Sequence, residues 1–268
     1  MTISSRNNPR IKAIRALRSR REREQSGLFF IEGLHQVTEA VQTGADIQTL
    51  VATPQLLDTR IGQELFQGPS RTRAPCLVVT DEVFDSLASK ETAHGLGAVV
   101  RQRWECLKDL HPTGELCWLA LESVKYPGNL GTILRTGDAV GCAGAILLGA
   151  TTDPYDPAAV RASTGAVFSQ RLARASVSDF CAWKRRHHCM VVGTSPSADT
   201  DYQSVAYRPP VVLFMGCERY GLSEAQQALC DATVKIPMVG RSDSLNLAVA
   251  TGVMLCEIFN QRRGAGRA

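Results

Sequence analysis

The sequence predicts an α/β protein with two domains, and three observations carry that prediction. Five apolar runs, Cys117–Leu121, Ala145–Leu148, Met190–Gly193, Val211–Met215 and Val234–Ile236, alternate with helix-like stretches. Apolar strands separated by helices imply a mostly parallel sheet covered on both faces. Upstream, residues 1–100 alternate shorter strands and helices, and a polar run from Arg101 to Thr113 separates the two regions. At 268 residues the chain is also longer than an average domain of roughly 100 to 200 residues. The expected domains are 1–105, a smaller α/β domain, and 106–268.

In the first domain, Asn8 followed by Pro9 reads as an N-cap and first helical residue, because Pro has no amide to leave unpaired. Ile11, Ile14 and Leu17 then form a narrow apolar seam, as expected of a surface helix docked by one edge. Leu28–Ile31 reads as a buried strand, residues 34–43 as a helix ending at Gly44, and Thr49–Val51 and Leu77–Val79 as short strands. Val83–Lys90 reads as helix and Gly97–Val100 as strand. In the second domain, helix starts are marked by Asp156-Pro157, Ser178-Asp179 and Ser223-Glu224. Gly264 to Ala268 read as a flexible tail.

Composition narrows the function. Apolar residues are 44% and charged residues 21%, ordinary for a globular chain, which excludes disordered, collagen-like and fibrous classes. No apolar stretch approaches the roughly 18 residues of a membrane span, and no hydrophobic signal core opens the chain, so a cytoplasmic protein is expected. The nine cysteines are odd in number and never fall into Cys-x-x-Cys, and the adjacent His187 and His188 lack metal-ligand spacing. Reduced, mostly buried thiols and no metal are therefore expected.

Charge is unevenly distributed. Residues 1–25 hold eight basic residues (Arg6, Arg10, Lys12, Arg15, Arg18, Arg20, Arg21 and Arg23) against Glu22 and Glu24, a local +6 that leaves the remainder at −2 of a total of +4. A basic block at one end of a nearly neutral chain is what phosphate contact requires, although a solvated helix face has the same composition.

Ligands of parallel sheets sit beyond the carboxyl ends of the strands. Neither Gly-x-Gly-x-x-Gly nor Gly-x-x-x-x-Gly-Lys-Ser/Thr follows any strand, so dehydrogenase and phosphate-loop readings lose their support. Three other loops stand out: Pro127 to Thr136, with Asn129 and Arg135; Met215 to Leu222, where Gly216 and Gly221 bracket Glu218; and Ile236-Pro237-Met238 followed by Ser244-Leu245-Asn246. Read singly, these are a turn with a capping Asn129 and a solvated Arg135, a tight strand-to-helix connection, and the mouth of a helix. That last helix is apolar on nearly every face and is expected to be buried, so Ser244 and Asn246 at its mouth need hydrogen-bond partners.

Taken together and in this order, the three loops resemble the motifs of the TrmH/SpoU branch of the SPOUT superfamily of RNA 2′-O-ribose methyltransferases: Asn-x-Gly-x-x-x-Arg, Gly-x-Glu-x-x-Gly-Leu, and Ile-Pro-Met with Ser-Leu-Asn. Val160 to Ala166 is similar to a further segment of that family. Ser5 to Pro9, Phe30-Ile31-Glu32-Gly33 and His94 to Val99 are similar to its ribosomal-protein-type RNA-binding domain. Lys125-Tyr126 departs from the pattern, since an acidic residue often precedes the Pro there.

The resemblance implies a deep trefoil knot at the carboxyl end of the sheet, a homodimer, and S-adenosyl-L-methionine bound in the knot by Gly216, Ile236, Leu245, Thr194, Met215 and Met238. It implies Arg135 for catalysis, with Asn129, Ser244 and Asn246 orienting the 2′-hydroxyl and Glu218 bracing the loops. A guanidinium stays protonated in proteins, so Arg135 reads better as a clamp for phosphate or developing alkoxide than as a base. The implied substrate is structured RNA, 23S ribosomal RNA before transfer RNA. A non-catalytic RNA-binding assembly factor is the alternative from another class.

Overall fold

In the computed structural model, which describes residues 2–57, 59–60, 73–88 and 95–265, the chain divides into two compact units. The first comprises Met1–Gln102 and Tyr155–Ser169, the second Arg103–Pro154 and Gln170–Ala268. Residues 155–169, expected from sequence in the second domain, thus group with the first unit. Aromatic packing explains it: the Phe29 ring lies 4.6 Å from Tyr155 and 6.2 Å from Phe168, centroid to centroid. His94, Ser89, Lys90 and the last three residues lie outside the described residues.

The first unit holds a four-stranded mixed sheet of β1 (Leu28–Glu32), β2 (Ile47–Ala52), β3 (Cys76–Val78) and β4 (Leu96–Arg101), in the order β1-β4-β2-β3. β4 runs antiparallel to β1 and β2, and β3 parallel to β2. The first helix, Pro9–Ala16, starts as the sequence predicts: Asn8 Oδ1 accepts the Arg10 amide at 2.9 Å and Pro9 opens the helix. Its seam of Ile11, Ile14 and Leu17 packs into a core with Val51, Val79, Val83, Phe84 and Val99.

The basic block is only partly a surface. A second short helix, Arg20–Ser26, brings Arg23 to 1% exposure, where its guanidinium donates to the carbonyls of Leu17 (2.9 Å) and Arg18 (2.8 Å) and pairs with Asp156 (3.4 Å). Arg15 donates to Ser86, Arg18 donates to the carbonyls of Leu87 and Ala88, and Arg6 pairs with Glu82. Arg10, Lys12 and Arg21 remain exposed, with side chains bonded to nothing among the described residues.

The second unit is built on a parallel sheet ordered β7-β6-β5-β10-β8-β11-β9: β5 (Trp118–Glu122), β6 (Gly144–Leu148), β7 (Arg171–Ala175), β8 (Met190–Thr194), β9 (Thr200–Asp201), β10 (Val211–Met215) and β11 (Ala232–Lys235). β7 and β9 are not legible as strands from sequence. β9 is two residues long, and the apolar run of β7 is broken by Arg171 and Arg174. Those arginines suit an edge strand because aromatic faces accept them: Arg171 lies over Trp118 (5.2 Å) and pairs with Glu105 (2.8 Å), and Arg174 lies over Trp104 (4.0 Å). The polar run before β5 is tied down as well, since Leu107 and Leu110 are buried and Trp183 Nε1 donates to the Leu110 carbonyl at 2.7 Å.

Two further expectations change. The helix Val177–His187 is capped by Ser176, whose hydroxyl accepts the Asp179 amide, and not by Ser178. The C-terminal helix, Leu247–Ala265, is not buried on all sides: Val249 is 54% exposed and Cys256 is exposed, while Met254, Leu255 and Ile258 face the core. Among the described residues, no helix is long and apolar enough to cross a membrane.

Replacing Arg23 by Ala leaves the buried Leu17 carbonyl, the part-buried Arg18 carbonyl and one oxygen of the partly exposed Asp156 without their donor, which costs about 3 kcal/mol. Denaturant unfolding of Arg23→Ala against the parent checks this; a loss no larger than that of Arg21→Ala would show that Arg23 is not structural.

Candidate functional site

The loops leaving β8, β10 and β11 at their carboxyl ends, with the segment entering the C-terminal helix, enclose a cavity of about 560 Å³. Thr194, Met215, Gly216, Ile236, Met238 and Leu245, expected from sequence to hold a cofactor, all line it, as do Glu218 and Ser244. Thr194 and Met215 meet through a 3.5 Å contact from the hydroxyl to the thioether sulfur.

The β10 loop is shaped by its two glycines. Gly221 has φ +63 and its amide donates to the Cys217 carbonyl at 2.9 Å, closing a tight turn. The turn folds back on Gly216, where an added Cβ would collide with the Gly221 carbonyl, so Gly216 is needed for close backbone approach.

That turn presents Glu218. One carboxylate oxygen accepts the Lys125 amide at 2.9 Å; the other accepts the Tyr126 amide at 3.2 Å and Asn129 Nδ2 at 3.0 Å. Burial would raise the carboxyl's pKa, but these bonds favour the ionised form, outweigh it and hold the value below the ordinary 4.5. The odd sequence at Lys125-Tyr126 therefore costs the loop nothing, because Glu218 engages backbone amides there.

Asn129 lies within the first crossover helix, Pro127–Val140, and does not cap it; Tyr126 holds the cap position and Pro127 the first turn. Its amide instead links Glu218 to Asn246, whose Nδ2 donates to Asn129 Oδ1 at 3.1 Å. Asn246 Oδ1 accepts the Ala248 amide at 2.9 Å, capping the C-terminal helix. One chain of side chains, Glu218–Asn129–Asn246, thus joins all three loops. The Ser244 hydroxyl donates to Asp243 at 3.3 Å.

Asn129, Asn246 and Arg135 do not line the cavity. The two asparagines stand behind Glu218. Arg135 lies six residues beyond Asn129 on the same helix, a rotation of about 120° and an advance of about 9 Å. It is exposed, and its side chain makes no hydrogen bond or ion pair among the described residues. Sequence leaves open which subunit's cavity Arg135 serves, and Arg135 is not among the residues that line the cavity of its own chain.

Other lining groups escaped sequence reading: Asp243, the Ser195 and Ser197 hydroxyls at 2.9 Å from each other, and Arg219 beside the exposed Tyr220. Position offered a signal. Ser195 to Ser197 follow an apolar strand at its carboxyl end, where ligands of parallel sheets bind, and Asp243 directly precedes the Ser-Leu-Asn motif. Val234, Ile236, Leu245 and Leu247 give apolar walls, and the carboxylates of Glu218 and Asp243 favour positive charge. The volume suits a metabolite-sized ligand. Apolar walls beside two carboxylates and the Arg219 cation fit a metabolite that combines apolar and charged parts.

Comparison with known proteins gives a consistent picture. Residues 117–256 match the SpoU rRNA Methylase family, and residues 8–98 match the MRM3-like substrate binding domain. The chain is similar to the 23S rRNA (uridine(2479)-2′-O)-methyltransferase of Streptomyces viridochromogenes, at 31% identity over 92% of this chain and 87% of that protein. It is similar to the 23S rRNA (guanosine(2553)-2′-O)-methyltransferase RlmP of Bacillus subtilis (strain 168), at 26% identity over 94% and 97% of the two chains. Among solved structures, the AdoMet-bound rRNA methyltransferase from Sinorhizobium meliloti superposes with a TM-score of 0.86, at 38% identity and 97% coverage of each chain.

Because the folded Glu218 pKa lies below its ordinary value, its stabilising bonds are complete above about pH 4.5 and disappear as pH falls through the depressed value. Glu218→Gln gives up roughly 2 kcal/mol at neutral pH. Thermal unfolding of both proteins from neutral pH to pH 3 checks this: the gap should close on acidification, and a pH-independent gap refutes the ionic role.

Proposed function

The chain belongs to the SpoU rRNA methylase family, and on that footing we propose that it transfers a methyl group from S-adenosyl-L-methionine to a ribose 2′-hydroxyl of 23S ribosomal RNA. The single observation that carries this reading is the cavity at the carboxyl ends of β8, β10 and β11, lined by the second and third motif loops, with the first motif loop braced against it through Glu218. When bound, the cofactor supplies a methyl group already activated on a cationic sulfur.

The chain's own residues then have limited work. Gly216, Ile236, Leu245, Thr194, Met215 and Met238 hold the cofactor by backbone groups and apolar contact. Glu218 and Asp243 favour its positive charge. Asn129, Asn246 and Ser244 keep the loops in register and orient the ribose, and aligning two reactants is a large part of what such a transfer needs. Arg135, permanently protonated, clamps phosphate or the oxygen as it gains negative charge.

The working assembly is a homodimer. A stripe of exposed and half-buried positions on the C-terminal helix, Val249, Gly252, Val253 and Cys256, follows helical spacing and is apolar. It runs beside the first crossover helix, where Thr136 approaches Gly252. Arg135 is on that helix, one position from Thr136, so a second copy covering the stripe brings Arg135 of the partner subunit toward this chain's cavity. The trefoil knot belongs to the same reading; in its support, the C-terminal helix returns to pack against the first crossover helix and β10. Work in the cytoplasm, where ribosomal RNA is the substrate, belongs to the same reading.

RNA is held in part by the first unit, and Arg10, Lys12 and Arg21 are its open cations. The enzyme reading is preferred over a non-catalytic factor because the cavity is formed and lined by the motif residues.

Tritium transfer from labelled S-adenosyl-L-methionine to 23S RNA, with ribose-methylation mapping, tests the activity. Arg135→Ala should lose roughly a hundredfold or more in rate with calorimetric cofactor binding unchanged. Co-expressing Arg135→Ala with Gly216→Ala chains should restore transfer in mixed dimers; no restoration would return Arg135 to its own chain's site. Replacing Arg10, Lys12 and Arg21 together by Ala should flatten the log–log salt dependence of RNA binding by about 0.7 to 0.9 for each phosphate the protein no longer neutralises. An unchanged slope removes those residues from the interface.

A further inference from the structure

We propose that the first unit carries a base-reading subsite for an unpaired guanine of the substrate RNA, centred on Gln36; this rests on the RNA reading above. Gln36 is 8% exposed, and its carboxamide oxygen is buried with no hydrogen-bond partner among the described residues. Buried polar atoms are normally satisfied, and leaving one unmade is costly, so an orphan of this kind in a folded protein requires a reason.

The reason lies in what surrounds it. Gln36 lines a small cavity of about 60 Å³ with Arg18, Glu32, Phe30, Val160 and Arg161. Phe30 and Glu32 come from β1, and Val160 and Arg161 from the helix Pro157–Ser163, two sequence segments that the cavity of the second unit does not use. The floor is apolar, the acceptors are the Gln36 oxygen and the Glu32 carboxylate, and the cations Arg18 and Arg161 flank them. Arg161 meets Glu32 at 3.8 Å, a long ion pair, and a carboxylate with two oxygens and about four lone-pair sites accepts several donors at once.

This volume admits the edge of a base and not its ring. An edge that satisfies both acceptors lining this one small cavity must present two donors on the same side. Guanine does so with its ring N1–H and 2-amino group, whereas adenine and cytosine offer one amino group beside an acceptor and uracil one N–H between acceptors. Unpaired bases read on their Watson–Crick edge are the usual target of sequence-specific RNA recognition. Arg161, about half exposed at the rim and 3.8 Å from Glu32, then faces a neighbouring phosphate.

The test is selection from a pool of stem-loop RNAs with randomised loops, using the full chain, followed by sequencing and affinity measurement. The parent protein should enrich loops with an unpaired guanine. Gln36→Leu should lose that enrichment and bind the selected loops roughly 5- to 150-fold more weakly. Glu32→Gln should weaken the preference in the same direction. Thermal unfolding of Gln36→Leu should be unchanged or raised, because the substitution removes an orphan polar group at similar volume; lowered stability with the selection intact would mark Gln36 as merely structural and overturn the proposal. Enrichment of another base, no enrichment, or equal selection by parent and Gln36→Leu would overturn it too. Methyl transfer to 23S RNA is scored on the same preparations. A protein that selects guanine loops but transfers nothing sinks the proposed activity and leaves this subsite; one that methylates without loop preference does the reverse.

Discussion

The Glu218 carboxylate is the point through which the candidate site is held together. It takes the Lys125 and Tyr126 amides that open the first crossover helix and the Asn129 amide one turn further on. Asn129 passes the connection to Asn246, which caps the C-terminal helix. Loops separated by about ninety residues of chain are thereby fixed to one another by a single ionised group. Such charge-assisted bonds are stronger than neutral ones, and here they offset the burial that would otherwise favour protonation. The β10 turn can deliver that carboxylate only because Gly216 and Gly221 let the backbone double back on itself.

Arginines serve three different ends in this chain. Arg23 works inside, tying the end of the first helix and Asp156 together from a buried position. Arg171 and Arg174 make an edge strand tolerable by lying over tryptophan rings. Arg10, Arg21 and Arg135 are left exposed without side-chain partners among the described residues, the state expected of cations kept for a polyanion. Net charge alone cannot separate these uses; burial and partner do.

The two units also divide the chemistry. The parallel sheet gathers its loops at one end and makes a roomy cavity with apolar walls and carboxylates, suited to a small cationic molecule. The helices of the first unit carry exposed cations and, beside a small cavity with apolar lining, an unsatisfied carboxamide. A donor site and a recognition surface are the two things a site-selective RNA-modifying enzyme requires, and the proposed reading assigns one to each unit.

The α/β character, the Asn8 and Asp156 caps, the central strands β5, β6, β8, β10 and β11, and eight of the residues that line the cavity could be named from sequence. The elements and caps depend on short-range pattern, apolar runs and capping side chains, and the cavity residues on the resemblance of three loops to a family's motifs. The edge strand β7 could not be named, because its arginines look like loop residues until Trp104 and Trp118 are seen beneath them. Nor could the grouping of residues 155–169 with the first unit, which aromatic contact with Phe29 decides. The exposure of Val249 and of Arg135 follows from helix rotation and neighbour packing. Which groups the chain possesses, and which local elements bear them, is written in the order of its residues. Which of those groups meet is settled by contacts between residues far apart in the chain, and no local pattern encodes those.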